Sequence, residues 1–222
     1  MQKFAVLTDP GGTVQPVTTA PRIDVDVSNG VDRWVFVGTG RLLHVDDLDD
    51  NQPQTMWAFR DGIYNQPSVI GAPLTRADVD VVAGINGLGA GVVAPKGWLH
   101  DLPLGQRIVR TPIAAVGLVG YVATSQPIDP CETGLPVTIN LRKFGNGESR
   151  LEAGGVTVDS IYEPTGAASI DMIATYPPGC TSNCVPVIKI VVLSTQTQLL
   201  SFQGQLPAIG GERRMSWRTL AQ

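Results

Sequence analysis

The sequence predicts an all-β protein built from repeated antiparallel units, and three observations carry that expectation. Short apolar runs rich in Val, Ile, Thr and aromatic residues recur along the chain, bounded by Gly, Pro, Asn and Asp. The 222 residues include 25 glycines and 17 prolines outside any low-complexity tract, so elements must be short and turns frequent. A three-strand pattern also occurs twice.

In chain order, strands are expected over residues 2–7, 14–27, 33–43, 55–59, 106–116, 118–124, 137–141, 169–175, 185–193 and 198–202. The nearest approach to a helical pattern, residues 74–83, is short and too rich in Asp and Val. The repeat sets QPVTTAPRIDV, WVFVGTG and TMWAFRDG against QRIVRTPIAAV, GYVATS and VTINLRKFG. Pro21 then aligns with Pro112, Phe36 with Tyr121 and Phe59 with Leu141. Each unit reads as a strand, a turn, an apolar strand ending in small residues, and a third strand closing in a polar turn. A β-propeller blade has that form, with small residues where blades converge on the axis. GWLHDLP, residues 97–103, reads as an outer strand or a blade connection, and residues 63–96 as an insertion ending in GINGLGAGVVAPKG.

At ~40–50 residues per blade the chain supplies only four or five blades. The expectation is therefore one β domain over 1–222, a partial or atypical propeller, with a β-sandwich as the alternative. An open propeller would expose a blade face, so segments 2–7 and 14–27 are expected to meet another chain, a missing N-terminal segment, or a C-terminal strand ending at Trp217.

Composition narrows the function classes. Hydrophobic residues are 43% and charged residues 16%, which fits a packed core. Sixteen basic against 20 acidic groups give a net charge of −4, with no basic stripe for nucleic acid. The apolar stretches 112–124 and 185–193 are interrupted and too short for a membrane-spanning helix. The opening MQKFAVLTDPGG lacks the features of a secretory signal, so either a cytosolic protein or a piece of a longer one is expected.

Chemistry-bearing residues are few. Asp46, Asp47, Asp49 and Asp50, with Asn51, form the richest acidic cluster. HVDDLDDNQP lacks the turn glycine and the terminal Glu of a calcium loop, so these four are weak calcium candidates and a solvated loop is the default. His44 and His100 could titrate near neutrality, yet no Gly-x-Ser-x-Gly elbow or activated cysteine accompanies them. No catalytic residue and no cofactor is expected. GINGLGAGVV is followed by PKGW and not by a helix, which removes the phosphate-loop reading. Arg60-Asp61-Gly62 is read as a turn, and Trp34, Trp57, Trp98 and Trp217 as packing residues. Cys180 and Cys184 flank a short turn in YPPGCTSNCVP, a spacing open to a disulfide or to two inert thiols. Cys131 is left over, and two histidines supply no second half of a zinc site.

Longer strings add a resemblance. VFVGTGRLLHVDDLDDNQPQTMWAFRD, GWLHDLPLGQRIVRTPIAAVG, VATSQPIDPC and the terminal RRMSWRTL, in this order, resemble the C-terminal propeller of the PilY family of type IV pilus biogenesis and tip-adhesin proteins. The likeness covers about 15–129 and the last ten residues, and is weak over 144–211. It implies a non-enzymatic propeller scaffold in pilus assembly or adhesion, secreted or at the cell surface. It further implies minor pilins or other pilus proteins as partners, together with a missing N-terminal part of the same family. In such an oxidising location the resemblance favours a Cys180–Cys184 disulfide with Cys131 unpaired.

The chain departs from that pattern after Cys131, where ETGLPVTINL replaces a Gly/Ser-rich turn and a Trp-Leu-Tyr strand. It also lacks an Asp-x-Asp-x-Asp calcium loop, so calcium regulation does not carry over. Quinoprotein propellers share the blade type but stack their cofactor on adjacent cysteines, which Cys180 and Cys184 are not. The alternative from another class is a stand-alone carbohydrate- or calcium-binding β module.

Overall fold

A computed structural model describes residues 3–26, 31–68, 71–126, 135–175, 187–194 and 199–204. The strands in chain order are β1 (Arg22–Asp26), β2 (Asp32–Gly38), β3 (Thr55–Ile63), β4 (Asp80–Val81), β5 (Gly97–Asp101), β6 (Ile113–Ala115) and β7 (Leu118–Thr124). They continue with β8 (Val137–Lys143), β9 (Leu151–Ala153), β10 (Val156–Val158), β11 (Ile161–Glu163), β12 (Ala167–Thr175), β13 (Val187–Ser194) and β14 (Leu199–Gly204). Two 3₁₀ turns, Val45–Leu48 and Arg76–Asp78, are the helical elements among the described residues.

Three open sheets form, ordered β1-β2-β3-β5-β4, β11-β8-β7-β6 and β10-β9-β14-β13-β12. All pairings are antiparallel except β4 with β5. The all-β expectation holds at this level. The repeat is also real in register: Val35 pairs with Phe59 in the first sheet, and Gly120 with Leu141 in the second. Those pairs sit one residue before the aligned Phe36 and Tyr121. The first strand of each unit is offset by one, because Ile23 pairs with Val35 two residues after Pro21, while Ile113 pairs with Gly120 one residue after Pro112.

Several expected strands are shorter. Residues 14–21 make only isolated bridges, Thr8 to Val14 and Val17 to Gly40, because Pro16 and Pro21 supply no amide to a ladder. The segment around Ala5 makes one isolated bridge, to Leu74 in the connection between β3 and β4. Residues 106–116 reduce to β6, with Arg107 bridged to Thr124. In the other direction, β4 inside the expected insertion and β9, β10 and β11 are strands that the sequence pattern does not announce. The β9–β10 hairpin turns on Gly154 and Gly155, at φ of 59° and 79°, a left-handed pair that glycine adopts without strain.

The sheets stack face to face. Trp34, Phe36, Met56 and Trp98 of the first pack on Val119, Tyr121 and Ala123 of the second. The opposite face of the second sheet, with Leu118, Val122, Ile139 and Leu141, packs on Ile188 and Ile190 of the third. The outer face of the first sheet is covered by Phe4, Ala5, Leu7 and Leu74 over Trp57, Phe59 and Leu99. Trp34, Trp57 and Trp98 are fully buried, as packing residues should be. Trp217 lies outside the described residues.

Candidate functional site

The strings singled out in the sequence converge on the seam between the first two sheets. Gly38-Thr39-Gly40 ends β2, and residues 106–108 cross it, with the Ile108 amide donating to the Thr39 carbonyl at 2.9 Å. A Cβ on Gly38 would lie 2.2 Å from Cγ2 of Ile108. Gly40, at φ 143°, would bring one within 2.7 Å of Arg107 Cβ. Both glycines are therefore required by close approach. Thr39 Oγ1 accepts from the Thr55 amide at 2.7 Å and locks β2 to β3. Gln15 bridges the same end, donating to the Pro53 carbonyl at 2.7 Å and accepting from Trp57 Nε1 at 3.1 Å.

The acidic loop is not the uniformly solvated loop read from sequence. Asp47 turns inward and is buried, accepting from the Leu43 amide at 2.8 Å, the His44 amide at 3.0 Å and Arg41 Nε at 2.7 Å. The Leu43 amide contributes most to holding its carboxyl down, at about 2. Asp46 stays exposed beside His44, and Asp50 accepts from the Gln52 amide at 2.9 Å. The buried Arg107 guanidinium donates to the carbonyls of Arg41, Asp47 and Asp50, the first at 3.1 Å and the last at 2.8 Å. Asp46, Asp47, Asp49 and Asp50 thus diverge around an arginine. Among the described residues no group of three or more His, Cys, Asp or Glu side chains is arranged to hold a metal.

His44 and His100 are brought to different places. His44 caps the 3₁₀ turn, its Nδ1 accepting from the Asp46 amide at 3.3 Å. His100, on β5, enters a buried network that sequence reasoning missed. Its Nδ1 lies 2.7 Å from the Tyr121 hydroxyl, and its Nε2 lies 3.3 Å from Arg142 Nη2. Arg142, fully buried on β8, also donates to Tyr121 at 3.2 Å, to the Gly84 and Gly147 carbonyls at 3.0 and 2.8 Å, and to Asp159 at 2.7 Å. Burial, then the Arg142 charge, lowers His100 to about 4, and burial lifts Tyr121 to about 12. Both are neutral at physiological pH. The network joins β5, β7, β8 and the β10–β11 link, so its geometry serves cohesion between sheets.

The rest of GWLHDLP is equally engaged. Gly97, at φ 137°, lies where a Cβ would stand 2.1 Å from the Ala58 carbonyl. Trp98 Nε1 donates to the Phe144 carbonyl, and Asp101 pairs with Arg76 while accepting from Thr55 Oγ1 at 2.9 Å. A shallow cleft of about 390 Å³ lies at the other end, lined by Arg60, Ser68, Pro73, Asp78 and Lys96. Its two cations are already paired, Arg60 with Asp32 at 2.8 Å and Lys96 with Asp78 at 2.7 Å. Cys131, Cys180 and Cys184, the DPC loop and the terminal SWR string lie outside the described residues.

These features define an all-β protein of stacked antiparallel sheets whose distinctive glycines and polar residues build the junctions between sheets. Among solved structures, the chain is similar to the crystal structure of the PilY1 C-terminal domain from Pseudomonas aeruginosa, with a TM-score of 0.61 at 12% identity. The match covers 92% of this chain and 48% of that one, so the chain spans about half the length of the domain it resembles. At this identity the likeness is one of fold, and it agrees with the PilY-like resemblance carried by GTGR and GWLHDLP. No protein-family model matches the chain, and no curated protein does.

Proposed function

We propose that the chain is a non-enzymatic PilY-type scaffold serving type IV pilus assembly or adhesion at the cell surface. The observation that carries this is the fold likeness over 92% of the chain, reached independently of the ordered GTGR, GWLHDLP, DPC and SWR strings. The blade reading belongs to the same proposal. β1 approaches β6, and β6 approaches β12, as the first strands of three successive blades would around an axis. A scaffold role without catalysis is supported by the fate of the titratable groups. His100, Tyr121 and Arg142 are consumed by one buried network, and Arg107 by backbone carbonyls. The partners proposed are minor pilins or other pilus proteins, and no cofactor is invoked.

Fractionation of the source organism tests this reading. The protein should be recovered with mechanically sheared surface pili and be accessible to antibody on intact cells. Recovery confined to the cytosol would contradict it.

A further inference from the structure

At one end of the first two sheets, three loops present large aliphatic side chains to solvent. Leu43 is 78% exposed, Leu104 72%, Val45 67% and Val14 67%. Hydrogen bonds stitch these loops together. Gln52 Nε2 donates to the Val14 carbonyl at 3.1 Å, and the Gly40 amide to the Pro16 carbonyl at 2.8 Å. Arg107 ties the 41–50 loop to the 103–107 segment. The aliphatic groups therefore stand on a backbone that is already fixed, so little further ordering is needed when they are covered.

Charge selects what covers them. Asp46, with its side chain 85% exposed, and the exposed Asp49 rim the group, with the half-buried Asp50 beside them. Of the two arginines in the same loops, Arg107 is buried on carbonyls and Arg41, half-exposed, is neutralised by its pair with Asp47, so the carboxylates of Asp46 and Asp49 leave the rim net negative. We infer that this end of the molecule is a docking surface for a different protein, one that offers an apolar recess bordered by Lys and Arg. A second copy is disfavoured because a two-fold contact would set the carboxylates against each other. An anionic lipid surface meets the same repulsion. The inference does not depend on the pilus reading.

The test places a photo-crosslinking phenylalanine analogue at Leu43 or Leu104 in the full chain within the source organism, with Val156, 65% exposed on β10, as the control position. Both test positions should trap one and the same protein, at a peptide containing Lys or Arg, and Val156 should not. The purified partner should then bind the Leu43→Ser, Leu104→Ser double variant at least about tenfold more weakly, with the variant's melting temperature unchanged. Its affinity for the native chain should fall as salt rises from roughly 0.05 to 0.5 M. An adduct with lipid or with the chain itself, the same adduct from Val156, no adduct, or indifference to the variant or to salt overturns the inference. Should the trapped protein have no connection with pili, the docking surface stands and the pilus reading falls.

Discussion

Arg142 is the residue on which the packing of the sheets turns. Its guanidinium is fully buried, and its partners come from the loop after β4, from β5, β7, the turn after β8 and the link before β11. Replacing it by Met leaves two carbonyls and Asp159 without a donor, and such losses typically cost about 3–5 kcal/mol. Arg142→Met should lower stability by that order in urea unfolding, whereas Asp159→Asn, at a side chain 40% exposed, should cost less. His100 adds a pH dependence. Its value falls to about 4 in the folded protein from an ordinary 6.5, so the unfolded chain binds the extra proton between those values. Stability is then fully present above pH 6.5 and declines as pH falls towards 4, by roughly 3 kcal/mol at most. Thermal melts at pH 7 and pH 4.5 should show this slope in the native chain, and His100→Gln should flatten it. In the sequence, His100 could be read only as a candidate titrating group. Arg142 carries no signal of its role in the sequence, since nothing in LRKFG tells that both faces of β8 are covered.

Among the elements, the junction of β2 with residues 106–108 leaves no room for a Cβ. The glycines of GTG were visible as a string, but their reason was not, because it lies in a close approach across 70 residues of sequence (Gly38 to Ile108). Gly38→Ala should destabilise by ~1–3 kcal/mol through overpacking against Ile108. In the Gly38→Ala, Ile108→Ala double variant the two costs should be less than additive, since the second change makes room for the first. Denaturant unfolding of the four members of the cycle measures this. The repeat itself was legible because period-two patterning fixes which residues face which core, and its register held from Val35–Phe59 to Gly120–Leu141. The hairpin β9–β10 escaped notice because its strands, Leu151–Ala153 and Val156–Val158, are too short for periodicity to register. The adjacent Gly154-Gly155 pair was the signal that could have found it. Residues 14–21 were overread for the opposite reason. Their apolar content resembles a strand, but prolines at 16 and 21 withhold the ladder amides.

For the whole molecule, three stacked sheets with two filled interfaces and a covered outer face on the first account for where the core lies. The all-β class was legible from breakers and short apolar runs. The order of stacking was not, because it depends on long-range contacts such as the Trp98 indole on the Phe144 carbonyl. The acidic loop shows the same limit, since a single inward Asp47 and the distant Arg107 decide its form. The proposed role as a PilY-type scaffold for type IV pili can be checked by counting surface pili in a strain lacking the gene. Pilus number and twitching motility should drop and return when the native chain is supplied in trans, but not when the destabilised Arg142→Met form is. Unchanged pilus number and motility in the deletion strain would overturn the proposed role.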